Sequence, residues 1–169
     1  MTVTLSVVGV LMGLGAPSLS EWASSARRTD LANAMLANLH RARSEAITRN
    51  SRVTLCKSGD GALCATSGAW DQGLIVYEDR NNNGVRDPAE PLLHREGPLP
   101  AGWRLFGNAS VRDRISYGPE GMTRMESGAF QAGTIMLCQS SAAATEGRQI
   151  IVNSSGRPRV QRALLDSCP

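Results

Sequence analysis

The first fifty residues constrain this chain most, because they read as one long helix whose two halves face different surroundings. No charged side chain occurs in residues 1–20, MTVTLSVVGVLMGLGAPSLS, a run of Val, Leu, Gly, Met, Ser and Thr around Pro17. Glu21, Arg27 and Arg28 then introduce charge, and the pattern becomes amphipathic. Leu31, Met35, Leu39, Ala42 and Ala46 recur at spacings of four, four, three and four, which is one stripe of a helix. Arg41, Arg43, Glu45 and Arg49 lie off that stripe. An uncharged half therefore leads into a half that must be covered, and the residues after Asn50 supply the cover.

A bilayer span needs about 20 apolar residues, and Thr2, Thr4, Ser6 and several Gly and Ser breaks make residues 1–20 a weak candidate. A cleaved signal peptide would carry a basic segment before the apolar run and an Ala-x-Ala-like site after it; both are missing here. An anchoring helix is the better expectation, with residues 1–27 as anchor and residues 28–169 as a single head. Pro17 removes one backbone donor and is expected to bend the helix, which membrane helices tolerate.

After Asn50 the hydrophobic period shifts from 3.6 to 2. RVTLC (52–56), GLIVYED (73–79), PLLHR (91–95), GWRLFG (102–107), RISYGP (114–119), TIMLCQ (134–139), RQIIVN (148–153) and RPRVQR (157–162) are short and bounded by Gly, Pro, Asn or Ser. One helix followed by a run of strands predicts an α+β fold with antiparallel sheet on the helix, not a doubly wound one. At 169 residues, one domain plus its anchor is the natural count.

Four cysteines, Cys56, Cys64, Cys138 and Cys168, include no C-x-x-C pair, and only His40 and His94 join them as soft ligands, so zinc fits poorly. Two disulfides in an oxidising compartment fit better. Three connectivities are open; the expected one is Cys56–Cys64, closing a short loop, with Cys138–Cys168 pinning the tail. No G-x-S-x-G, H-E-x-x-H or phosphate loop is present, so the chain is not expected to be an enzyme or to need a cofactor.

Two motifs bear on binding. DRNNNGVRDPAE places Asp79, Asn81, Asn83, Gly84, Asp87 and Glu90 at the spacing of an EF-hand loop, and these are hard oxygen donors suited to calcium. The setting differs: a strand precedes it, Pro88 and Pro91 follow, and Arg80 and Arg86 oppose a cation. The plainer reading is a hairpin connection whose Asx side chains cap their own backbone. The second motif is Gly156-Arg157-Pro158-Arg159, after a turn that follows RQIIVNSS. On a strand Arg157 and Arg159 share a side about 7 Å apart, near the phosphate spacing of a nucleic-acid strand, and Pro158 keeps the strand at an edge. Arg148 and Arg162 are near enough in sequence to extend the patch. The plainer reading is an edge strand kept soluble by charge. Lys57 is the only Lys among 18 basic residues, a bias that GC-rich coding alone also produces, and a net charge of +3 says little about partners.

The runs around Leu14, Ala16, Pro17, Leu19 and Trp22, and then residues 31–56 with the block Arg43-Ser44-Glu45-Ala46-Ile47, resemble minor pilins and pseudopilins of the FimT/GspH type. That family begins with a basic leader, a Gly before the cleavage point and a Glu soon after it. Counting back from Pro17, Met1 falls just after the position of that Glu, so the processing signal is expected upstream of Met1. The resemblance implies a pilin-like helical spine with sheets on its C-terminal half. It implies an inner-membrane, single-pass location before assembly, with the head in the periplasm, and a place in a filament beside other pilins. The FimT branch associated with natural transformation carries a G-R-x-R motif at this C-terminal position, implicated in DNA binding, and Gly156, Arg157 and Arg159 match it. The function expected from that match is non-specific capture of double-stranded DNA by a type IV pilus. The alternative is a structural subunit that primes or caps a pilus or a type II secretion pseudopilus.

Overall fold

A computed structural model describes the backbone of residues 2–168 and the side chains of residues 22–168. Helix α1 runs from Thr2 to Arg49 without interruption. Membrane burial of residues 1–21, and the bend expected at Pro17, lie outside the described side chains. Among the described residues no helix is long and apolar enough to cross a membrane.

The C-terminal half of α1 buries Ala32, Met35, Leu39, Ala42 and Ala46, with Leu31 only partly covered. The stripe thus enters at Ala32 where the sequence pattern pointed to Leu31. The difference is one helical position, since spacings of three and four alternate more regularly through 32, 35, 39, 42 and 46 than through 31. Arg28 continues the same stripe by one more step and is itself buried. Asn50 ends the helix in the left-handed region (φ 50°), where Asn is tolerated. Its N–H donates to the Ile47 carbonyl (3.3 Å), and the Ser51 N–H donates to that of Ala46 (3.2 Å).

Eight strands follow: β1 Val53–Lys57, β2 Leu74–Glu78, β3 Leu92–Glu96, β4 Trp103–Gly107, β5 Arg114–Tyr117, β6 Gly133–Gln139, β7 Thr145–Val152 and β8 Arg159–Leu165. Each of the eight short segments read from the sequence overlaps one of them, with ends that differ by up to three residues; β8 begins at Arg159, so Arg157 lies before the strand. They form two four-stranded sheets, ordered β3-β2-β1-β5 and β4-β6-β7-β8, with every pairing antiparallel. The chain leaves the first sheet at β4 and returns at β5, so Ile115 and Leu55 from one sheet meet Ile135, Leu137, Ile150 and Leu105 from the other against the helix stripe in one core. Trp70 is buried at the seam and donates its indole N–H to the Val111 carbonyl (2.9 Å). The one lysine is structural: Lys57 is 2% exposed and its ammonium bridges the Gly68 carbonyl (2.9 Å) and Asp113 (2.7 Å).

Both disulfides pair as expected, Cys56–Cys64 with Cα atoms 5.5 Å apart and Cys138–Cys168 with Cα atoms 6.1 Å apart. The second joins β6 to the tail, where Cys168 and Ser141 also exchange backbone hydrogen bonds of 2.9 and 3.2 Å.

Candidate nucleic-acid interface

The turn between β7 and β8 is a rigid piece of backbone. The Gly156 N–H donates to the Asn153 carbonyl (2.9 Å), and the Asn153 side-chain oxygen accepts from the Ser155 hydroxyl (2.9 Å) and the Arg157 N–H (3.0 Å). Thr123 pins this turn from outside: its hydroxyl lies 2.8 Å from the Asn153 carbonyl and its N–H donates to that of Ser154 (3.3 Å). Gly156 has φ +74°, and a Cβ there would lie 1.9 Å from the Gly121 carbonyl oxygen. Only glycine fits both the conformation and the space.

Arg157 and Arg159 stand exposed on either side of buried Pro158. Arg159 opens β8, an edge strand, opposite Ile151. No ion pair holds Arg157, Arg159 or Arg162 among the described residues. Other exposed or half-exposed arginines are neutralised: Arg104 by Asp71 (2.8 Å), Arg112 by Asp113 (3.4 Å), Arg114 by Glu126 and Arg124 by Glu120 (2.5 Å). Sequence spacing does not separate these groups; the ion pairs do.

The structure divides the expected five-residue patch. Arg148 is 5% exposed, its guanidinium turned onto α1, where it donates to Thr29 (3.4 Å) and to the Gly147 carbonyl (3.1 Å). It is therefore not part of an accessible patch with Arg157 and Arg159. The reason is strand parity: Arg148 alternates with buried Ile150 and Val152 on the face toward α1. Arg162 pairs with Arg148 and shares that face, whereas Arg159 pairs with Ile151 on the opposite one. Burial first, and then the charges of Arg28 and Arg162, pull the Arg148 pKa below the ordinary arginine range.

One neighbour escaped the sequence reading. Arg43 of α1 donates its Nε–H to the Gly121 carbonyl (3.0 Å), the same oxygen against which Gly156 is packed. A third guanidinium, half-buried where those of Arg157 and Arg159 are exposed, thus adjoins the Gly-Arg-Pro-Arg turn from the helix. Its only trace in the sequence is its place beside the buried stripe, and nothing there said which loop it would meet.

The EF-hand-like loop closes on itself. The Asp79 carboxylate accepts from the Thr54 hydroxyl (3.1 Å) and the Gly84 N–H (3.0 Å), and both Glu90 oxygens are taken by backbone N–H groups of Arg80 (2.9 Å) and Asp87 (3.0 Å). Asn81 and Asn83 cap the N–H groups of Asn83 (3.1 Å) and Val85 (2.7 Å) and turn their amides to Asp87 (2.6 and 3.3 Å). Positive charge comes from Arg52, which lies 4.0 Å from Asp79 and donates to the carbonyls of Asn82 (3.2 Å), Arg124 (2.9 Å) and Met125 (2.6 Å). Among the described residues no three His, Cys, Asp or Glu side chains are grouped to hold a metal ion. As arranged, Asn81 and Asn83 cap their own backbone, while the second Asp79 carboxylate oxygen is buried without a hydrogen-bond partner.

No curated protein matches the chain. Two crystal structures of the type IV minor pilin FimU from Pseudomonas aeruginosa share its fold. One, in space group P21, has a TM-score of 0.61 at 18% identity and covers 88% of this chain and 99% of its own. The other, in space group P65, has a TM-score of 0.58 at 18% identity and covers 83% and 99%. The family model of GspH, type II transport protein, matches residues 31–156. With well over half its length inside that match and a long helix carrying two antiparallel sheets, the chain belongs to the GspH family of pilin-like proteins.

Proposed function

We propose that this pilin-like subunit binds double-stranded DNA through the Gly-Arg-Pro-Arg turn, during DNA uptake by a type IV pilus. The observation that carries the reading is the pair of exposed arginines without carboxylate partners among the described residues, at an edge strand whose turn is fixed by Gly156 and Asn153. A preset turn presents two guanidinium forks without ordering a loop first, and phosphate contacts of this kind fix register without reading bases. The uncharged N-terminal half of α1 holds the subunit in the inner membrane before assembly, with the head in the periplasm, and packs beside other pilins afterwards.

The test is a DNA titration with the full chain in nonionic detergent, beside the Arg157→Ala/Arg159→Ala double variant. With two or three phosphates neutralised, affinity falls roughly 10- to 40-fold between 50 and 200 mM salt. The double variant loses most of the binding and keeps its melting temperature, because the turn uses only the backbone N–H of Arg157. Absence of binding by wild type at low salt leaves the structural-subunit reading, a primer or cap of a pilus or secretion pseudopilus, in its place.

A further inference from the structure

The fold creates a second concentration of positive charge at the other end of the β7–β8 hairpin, where α1 passes over Glu146. Arg28 occupies a core position of the helix stripe, 9% exposed, with its Nε–H unpartnered. One of its terminal nitrogens reaches Glu146 (3.2 Å), and its guanidinium carbon lies 6.0 Å from the centre of the Trp103 ring. Arg148 is more deeply buried, has no carboxylate partner among the described residues, and is tied to Thr29, the residue after Arg28. Arg162 sits directly opposite Arg148 in the β7–β8 register on the same face, a like-charge pair that opposes folding unless something compensates. Among the described residues one carboxylate, Glu146, pairs with only one of these three guanidinium groups, and its side chain is 56% exposed. Beside them opens a cleft of about 490 Å³ lined by Ser24, Ser25, Arg28, Ala144, Thr145 and Glu146; the Ser25 and Thr145 hydroxyls are further donors, and that of Ser24 donates to Gln139 (3.3 Å).

We propose that this cleft, walled by Arg28 and lying beside the Arg148–Arg162 pair, binds a phosphate-type oxyanion. Forked guanidinium donors joined by hydroxyl groups suit a tetrahedral oxyanion, and a half-buried cation cluster gains most from one. The phosphate has two possible sources, the free ion and a phospholipid headgroup. The second is suggested by position: Arg28 stands about 12 Å along α1 from the end of the uncharged stretch at Ser20. The site is independent of the Gly-Arg-Pro-Arg turn, which lies at the far end of the same hairpin.

The test measures the melting temperature of the full chain in nonionic detergent, in inorganic phosphate and in chloride of equal ionic strength. At about ten times its Kd, phosphate should raise the midpoint by about 3–6 °C over chloride. Arg162→Gln, at an exposed position, should keep the fold and lose most of that shift, and Arg148→Met should abolish it. Arg157→Ala/Arg159→Ala should retain it in full. Nanodiscs of phosphatidylglycerol and of a phosphate-free galactolipid separate the sources. A higher midpoint in the former supports the site with a headgroup as occupant, and a shift with free phosphate alone supports it with the free ion. Equal midpoints in phosphate and chloride, together with equal midpoints in the two lipids, overturn the proposal. So does a full phosphate shift in Arg162→Gln, or its loss in Arg157→Ala/Arg159→Ala, which would place the anion at the turn.

Discussion

Gly156 shows how much one residue decides at the candidate interface. Its positive φ costs any other L-residue about 1–2 kcal/mol, and the Gly121 carbonyl occupies the place of a Cβ. Gly156→Ala should therefore cost about 2 kcal/mol or more, and lower the melting temperature by roughly 4–8 °C. Because Arg157 and Arg159 directly follow the turn, the same substitution should also weaken DNA binding with both arginines present. A calorimetric melt and a gel shift on one sample check both effects. Arg52 carries the opposite lesson: from the sequence it is the first residue of a strand segment, yet folded it is the internal cation of the Asp79 loop. The EF-hand spacing is real, but one Asp79 oxygen and both Glu90 oxygens already accept hydrogen bonds from the chain, which leaves the second Asp79 oxygen unpartnered. Addition of a calcium chelator should accordingly leave the melting temperature unchanged within error; a drop of several degrees on chelation contradicts the assignment made to this loop.

At the scale of elements, the two disulfides act on different lengths of chain. Cys138–Cys168 closes a separation of 30 residues and Cys56–Cys64 one of 8. Loop-closure entropy assigns about 3.6 kcal/mol to the first and about 2.5 kcal/mol to the second. Cys138→Ser/Cys168→Ser should thus be the more destabilising pair, measured by denaturant midpoints at unchanged slope. The longer bridge also holds the end of β8, the edge strand that begins with Arg159, so its loss should fray that strand from the tail toward the turn. The helix was the most legible element: a 3.6-residue stripe states which face is buried without reference to what buries it. The eight strands were legible as segments for the same reason, a period of 2 between turn residues. Their division into two sheets was not, because β4 and β5 look alike in sequence and only pairing assigns them to different layers.

For the whole molecule, acid should be the more revealing denaturant. The hydrogen bond from Lys57 holds Asp113 below its ordinary value of 3.8, and those from Arg80 and Arg124 hold Glu78 and Glu120 below 4.5. Groups with depressed folded pKa values contribute fully above their ordinary values, and the contribution is lost as pH falls through the folded ones. Asp79 runs the other way: burial raises its pKa, so protonation relieves a cost instead of removing a gain. The N–H groups of Leu63 and Ala62 lower Asp60 as well, and four depressed carboxylates against one raised predict a melting temperature that falls as pH drops below about 4.5. A melting series from pH 7 to pH 3 checks the sign; a midpoint that rises on acidification would show that Asp79 outweighs the rest.

The sequence alone determined the α+β class, the helix face, the strand segments and the two short motifs. These depend on period, turn residues and spacing, which are properties of neighbours along the chain. The cysteine count and spacing led to the expected pairing, which the fold carries, although three connectivities were open on the count alone. Tertiary structure alone decided which arginines are free to bind. Arg104, Arg112, Arg114 and Arg124 meet carboxylates from other parts of the chain or beside them, while Arg157 and Arg159 meet none among the described residues. Arg148, five residues before the β7–β8 turn, is turned by strand parity beneath α1 beside Arg28, a residue 120 positions away in sequence. A guanidinium's role depends on the charges and dielectric around it, and those are set by residues distant in sequence that only the packed fold brings near.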